Sequence, residues 1–112
     1  MVNGRDFEVL NAILTEIETL EKFVDGMSIE DFLSNYLCQY ATGMALINIG
    51  EYTKKLSIEF RRTNKQTIPF DDIIGMRNHA AHEYSGLHFE DVWTTITEHI
   101  PLLKEQITRL LR

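Results

Sequence analysis

Apolar residues in this chain recur every three or four positions from its first segment to its last. Nowhere do they alternate over the length a strand needs. Phe7, Leu10, Ile13, Leu14, Ile17, Leu20 and Val24 make the first stripe, and Trp93, Ile96, Ile100, Leu103, Ile107, Leu110 and Leu111 the last. That spacing lines one side of an α-helix, because residues three and four apart point the same way. With no sheet to lie on, such stripes bury themselves against one another. The pattern predicts an all-α bundle of four to five helices, formed as a single domain over residues 1–112.

Punctuation between the stripes sets the expected breaks. Asp25-Gly26 ends the first helix, and Ser28 with Asp31 has the spacing of a capping box for the next. Phe32, Leu33, Tyr36, Leu37, Tyr40, Met44, Ile47, Tyr52, Leu56 and Phe60 carry one long helical stretch. Gly43 and Gly50 interrupt it, which predicts a bend or a close helix–helix approach. "RRTNKQTIPF" reads as a polar loop closed by Pro69, after which Asp71 or Asp72 starts a helix running to about Tyr84. "YSGLH" reads as a turn. The last helix begins near Phe89, with Glu90 and Asp91 at its positive end. Pro101 is expected to kink it or to begin a new segment.

Cys38 is the single cysteine, so no intrachain disulfide and no cysteine-rich zinc site is expected, and its place beside the Tyr36, Tyr40 and Met44 stripe suits packing. That stripe itself reads as core or as a dimer contact. No apolar run spans a bilayer and the first residues lack a signal-peptide layout, so a cytoplasmic protein without membrane partners is expected. The net charge of −6 speaks against broad nucleic-acid binding. Its distribution is uneven, however. Residues 1–52 hold nine acids against Arg5 and Lys22, whereas Lys54, Lys55, Arg61, Arg62, Lys65 and Arg77 follow with only Glu59, Asp71 and Asp72 among them. A local basic lip is compatible with the acidic whole, and so is a balanced solvated surface.

The densest chemistry stands in "RNHAAHEY", Arg77 to Tyr84. At about 100° per residue, Asn78 and His82 fall on one side of the helix, away from Ile73, Met76 and Ala80. As i and i+4 neighbours they can hydrogen-bond and fix the ring. Arg77 lies at the boundary, its stem able to pack while its guanidinium reaches toward His82, and Gly75 leaves bare backbone nearby. Histidine exchanges protons near neutral pH, and an arginine fork fits phosphate oxygens. A base, an acid and a cation suffice to cleave RNA, whose 2′-hydroxyl attacks its own neighbouring phosphate. One protomer offers one suitably placed histidine, so a two-fold dimer is needed to supply both acid and base. An interface network of ion pairs and hydrogen bonds that cuts nothing accounts for the same spacing. His79, His82 and nearby His88 could be read as metal ligands, but no third ligand is firmly placed and no zincin glutamate is present. No metal or cofactor is expected.

From about Gly50 onward, "GEYTKKLSIEF" with "IPFDDIIGMRNHAAHEYSGLHFEDVWTTITEHIPLL" resembles the HepT-like toxins of the HEPN superfamily, and the first helix matches more loosely. The motif that carries the resemblance is an arginine, four residues, a histidine, any residue and a tyrosine, here Arg77, His82 and Tyr84. Asn78 is the polar residue after the arginine. The resemblance implies a homodimeric endoribonuclease toxin of a type VII-like toxin–antitoxin pair, acting on RNA, a tRNA end for example, and not on DNA. Arg77 and His82 are then catalytic, in a cleft at the dimer interface, with Asn78 in support. It also implies a nucleotidyltransferase antitoxin encoded nearby that transfers AMP to Tyr84. Bulky anionic adenylates beside Arg77 would block the cleft. The alternative within the same kinship is a helical dimer that cuts nothing and binds a nucleotidyltransferase or presents a substrate to it.

Overall fold

The computed structural model of the chain describes residues 2–82 and 88–112, with residues 78–82 described by their backbone alone. Among the described residues every regular element is helical, as the periodicity predicts. The order is α1 (Gly4–Val24), α2 (Ile29–Leu33), α3 (Tyr36–Lys54), α4 (Ile58–Asn64), α5 (Phe70–His82), α6 (Phe89–Thr94) and α7 (Ile100–Leu111), with a π turn (Thr95–His99) joining the last two. α2 and α4 are short connectors. The bundle proper consists of α1, α3, α5 and the continuous α6–α7 rod, and α3 packs most extensively against α5 and α1.

The helix starts follow side-chain chemistry. Asn3, Asn35 and Ser57 each accept a hydrogen bond from the backbone N–H three residues on, and Ser28 with Asp31 forms the expected capping box. Gly26 takes φ +75°, the left-handed turn that closes α1.

The long stretch from Phe32 to Phe60 is not one helix. It breaks at Ser34–Asn35 and again at Lys55–Ser57, and neither break falls on a glycine. At the first break the Asn35 carboxamide caps α3, while the buried Gln39 amide donates to the carbonyls of Phe32 (3.0 Å) and Leu33 (3.1 Å), giving the end of α2 partners that a continuing helix would have supplied. At the second, the Asp6 carboxylate accepts from Ser57 N–H (2.8 Å) and Ser57 Oγ–H (2.7 Å), pinning the start of α4 to the start of α1. Gly43 and Gly50 lie buried inside α3, where the close approach predicted from them is met at Gly50. The "RRTNKQTIPF" segment departs from the expected loop, because Arg61–Asn64 complete α4 and the loop begins only at Lys65. α5 starts at Phe70, directly after Pro69, so Asp71 and Asp72 sit in its first turn and do not cap it. The expected end of α5 near Tyr84 and the "YSGLH" turn lie outside the described residues.

Pro101 acts as predicted by altering the helix around it. Lacking an N–H, it leaves the Thr97 carbonyl without its ordinary α-helical donor, and the chain widens into the π turn just before α7 begins. Leu10, Ile13, Ile17 and Leu20 of α1, Ala45, Leu46 and Ile49 of α3, and Ile96, Ile100, Leu103 and Ile107 of the last rod form the core. Trp93 is half-buried against Phe32, with ring centroids 5.3 Å apart.

Candidate active site

Arg77 is placed by a contact between two backbones. A Cβ built at Gly50 of α3 would stand 2.0 Å from the Cβ of Arg77 and 2.5 Å from its Cγ, so only glycine lets α5 come this close. The arginine stem therefore lies across bare α3 backbone. Its guanidinium meets the carboxylate of the next residue, Glu51, in an ion pair. The Arg77 side chain keeps 20% of its exposure and Glu51 keeps 39%, so the pair stands at an edge of the bundle with Glu51 Oε1 and Arg77 Nε themselves buried. Lys54 Nζ, one turn on, lies 4.0 Å from the same carboxylate.

This geometry adds a partner that the sequence does not show. Sequence spacing directs the guanidinium along its own helix toward His82, whose side chain lies outside the described residues, and the structure gives it a carboxylate on α3 as well. Glu51 was not singled out by its sequence. It follows Tyr40, Met44 and Ile47 at helical intervals, which places it on a known face, but its arginine is a tertiary partner that no local pattern reveals. Gly75 agrees with expectation: among the described residues a Cβ there would meet nothing within 4 Å, so they leave the backbone beside the motif open. Asn78 and His82 lie on the α5 backbone, their side chains outside the described residues, and Tyr84 lies outside them altogether. Among the described residues no three His, Cys, Asp or Glu side chains are grouped to hold a metal ion.

The face of α3 that carries Glu51 is apolar and largely exposed. Tyr36, Leu37, Tyr40 and Met44 are 68%, 80%, 46% and 55% exposed, so the stripe read as core or dimer contact lies on the outside of the chain. Tyr36 donates a hydrogen bond to the Tyr40 hydroxyl (3.0 Å), and their rings meet edge to face at 4.8 Å. That bond pushes the ionisation of Tyr36 above the ordinary tyrosine value. Cys38, on the opposite face of α3, is buried beside the Phe23 carbonyl and Met27 sulfur, and burial pushes its thiol up, which suits packing and not reactivity.

Known proteins give this arrangement a class. Residues 13–110 match the model of the ribonuclease HepT-like family, and the chain belongs to that family, whose members are ribonucleases of the HEPN helical type. It is 38% identical over 103 residues to a protein of Caldanaerobacter subterraneus subsp. tengcongensis named "Putative RNase", covering 92% of this chain and 91% of the relative. It is 34% identical over 103 residues to "Probable ribonuclease HepT" of Thermococcus cleftensis, covering 92% and 93% respectively. A "Putative RNase" of Methanocaldococcus jannaschii is 31% identical over 100 residues, covering 89% of this chain and 85% of the relative. No solved structure matches the chain. No helix among the described residues is long and apolar enough to cross a membrane.

Proposed function

We propose that the chain, as one HEPN domain over residues 1–112, is a metal-independent endoribonuclease whose active site forms between two copies. Each copy contributes Arg77 and His82. One imidazole takes the proton of the RNA 2′-hydroxyl as its oxygen bonds to phosphorus. The imidazolium of the other copy protonates the departing 5′-oxygen as the P–O5′ bond breaks, leaving a 2′,3′-cyclic phosphate and a 5′-hydroxyl. The Arg77 guanidinium offsets the charge that grows on the phosphate oxygens, and Glu51 fixes where it stands. Asn78 steadies the His82 ring.

The observation that carries this reading is the position of Arg77 on the uncovered side of α3. A helix apolar on both faces is ordinarily buried on both, and a second copy seated on Tyr36, Leu37, Tyr40 and Met44 lies alongside the Arg77–Glu51 pair. A two-fold contact there presents the same patch from each side. The test is incubation of purified protein with cellular RNA in chelator. Cleavage giving cyclic phosphate ends is expected, and Arg77→Ala or His82→Ala should abolish it. Intact RNA at high protein concentration refutes the proposal.

The biological setting we propose is a toxin–antitoxin pair of the type VII kind, in the cytoplasm, with a nucleotidyltransferase antitoxin that silences the toxin by transferring AMP to Tyr84. An adenylate near Arg77 competes with RNA phosphate for the same cation. Intact-mass measurement of the chain co-expressed with the neighbouring nucleotidyltransferase should show added AMP that Tyr84→Phe removes.

A further inference from the structure

A second cationic feature stands apart from Arg77. α4 and the start of α5 enclose a cleft of about 620 Å³, walled by Arg61, Arg62 and Lys65 on one side and Asp71 and Asp72 at the α5 end. Cations near the end of α4 suit its dipole, and that accounts for their place in the sequence. It does not account for Arg61 Nε, which is buried without a hydrogen-bond partner. An unmet buried donor is a cost that an incoming acceptor oxygen removes. Nor does it account for the ion pairing: among the described residues, none of the three cations has a carboxylate oxygen within 4.0 Å, although two carboxylates share the cleft.

The charge sum points to the kind of ligand. Three cations against two carboxylates leave the lining at one positive charge, which matches a single phosphodiester and not a dense polyanion. The position points the same way. Asp71 and position 82 are eleven residues apart on α5, about three turns, so they stand on one side of the helix some 16 Å apart along its axis.

We infer that this cleft is a phosphate-binding subsite that holds the RNA backbone away from the bond being cut. The inference rests on the ribonuclease reading above and assigns the strand its path along α5. The Asp71 and Asp72 carboxylates limit the subsite to weak binding of one phosphate, which lets the strand leave after cleavage.

The experiment measures binding of a 2′-O-methyl RNA strand, which has no 2′-hydroxyl to react, to the full chain as salt is varied. Each phosphate neutralised contributes a slope of about 0.7 on single strands. Replacing Arg61, Arg62 and Lys65 together by alanine should lower the slope by about 0.7, the share of one phosphate, and the affinity by about 5-fold at 0.1 M salt. The charge-keeping set Arg61→Lys, Arg62→Lys and Lys65→Arg should restore both, which separates lost charge from a failed fold. Lys22→Ala, about 24 Å along α1 from the Asp6–Ser57 corner, should change neither. With cleavable RNA, the alanine set should raise KM on long strands while leaving a dinucleotide substrate cut at the wild-type rate. An unchanged slope, or an equal loss from Lys22→Ala, overturns the subsite. If the slope falls as expected but wild-type protein cuts no RNA, the subsite stands and the nuclease reading falls.

Discussion

The two faces of α3 carry similar side chains under opposite conditions. Inward, Ala45, Leu46 and Ile49 are at most 3% exposed and hold the helix to α1 and α5; outward, Leu37 and Met44 keep 80% and 55% of their exposure. Apolar character alone therefore does not mark a core. What separates the faces is cover, and the uncovered one borders the arginine of the candidate active site. Glycine and glutamate at adjacent positions divide the roles at that border, Gly50 yielding room to the arginine stem and Glu51 meeting its charge.

Substitutions on each face sharpen this contrast. Leu46→Ala, on the covered side, should lose about 2–5 kcal/mol in urea unfolding through the cavity it leaves, with the association state of the folded protein unchanged. Leu37→Glu combined with Met44→Glu, on the open side, leaves no core cavity and should lower the melting temperature only by the share that association supplies. The pair should nevertheless convert a dimer to monomers in sedimentation and cut RNA cleavage by about 100-fold or more, the contribution of a missing acid or base. A wild-type monomer, or a dimer that survives both charges, breaks the comparison.

Gly50→Ala tests the border itself. The added methyl has no room against the Arg77 stem, so about 1–3 kcal/mol of stability and a larger share of cleavage should be lost. Ser at this position should behave like Ala.

The smallest effect belongs to the Lys104–Glu21 ion pair (2.8 Å), which ties α7 to α1 on the surface. The hydrogen bond to Glu21 raises the Lys104 pKa above its ordinary value. A raised folded pKa means the stabilisation is fully present below the ordinary lysine value and disappears as pH climbs through the raised one. Lys104→Ala should cost less than about 1 kcal/mol at neutral pH in denaturant titration, and the difference from wild type should vanish in strong alkali.

Much of the fold was legible because local chemistry decides it. The stripes of α1 and α7 and the Ser28 capping box need only neighbours three or four residues away. So does the disruption caused by Pro101, although its form as a π turn depends on how the rod is packed. The breaks at Asn35 and Ser57 were hidden for the opposite reason. Ser34 and Asn35 fall between apolar pairs that keep helical spacing, and the buried Asp6 that fixes Ser57 lies 51 residues away. The same divide runs through the candidate site. The motif of Arg77, Asn78, His82 and Tyr84 stands in one short stretch, and the open backbone at Gly75 was readable beside it. Glu51 was not, since only the crossing of α3 and α5 brings it to the arginine. The cover of a stripe is a property of the assembled surface, so Tyr36, Tyr40 and Met44 could be assigned an apolar role but not a side.

The clasp between Asp6 and Ser57 has a bearing on the order in which the molecule is made. Both of its halves leave the ribosome before the first residue of α5. The amino-terminal part of a nascent chain can thus bring its own ends together, and Gly50 can already lie in a formed helix, when the segment bearing Arg77 arrives. The arginine comes after both, to a seat already laid down.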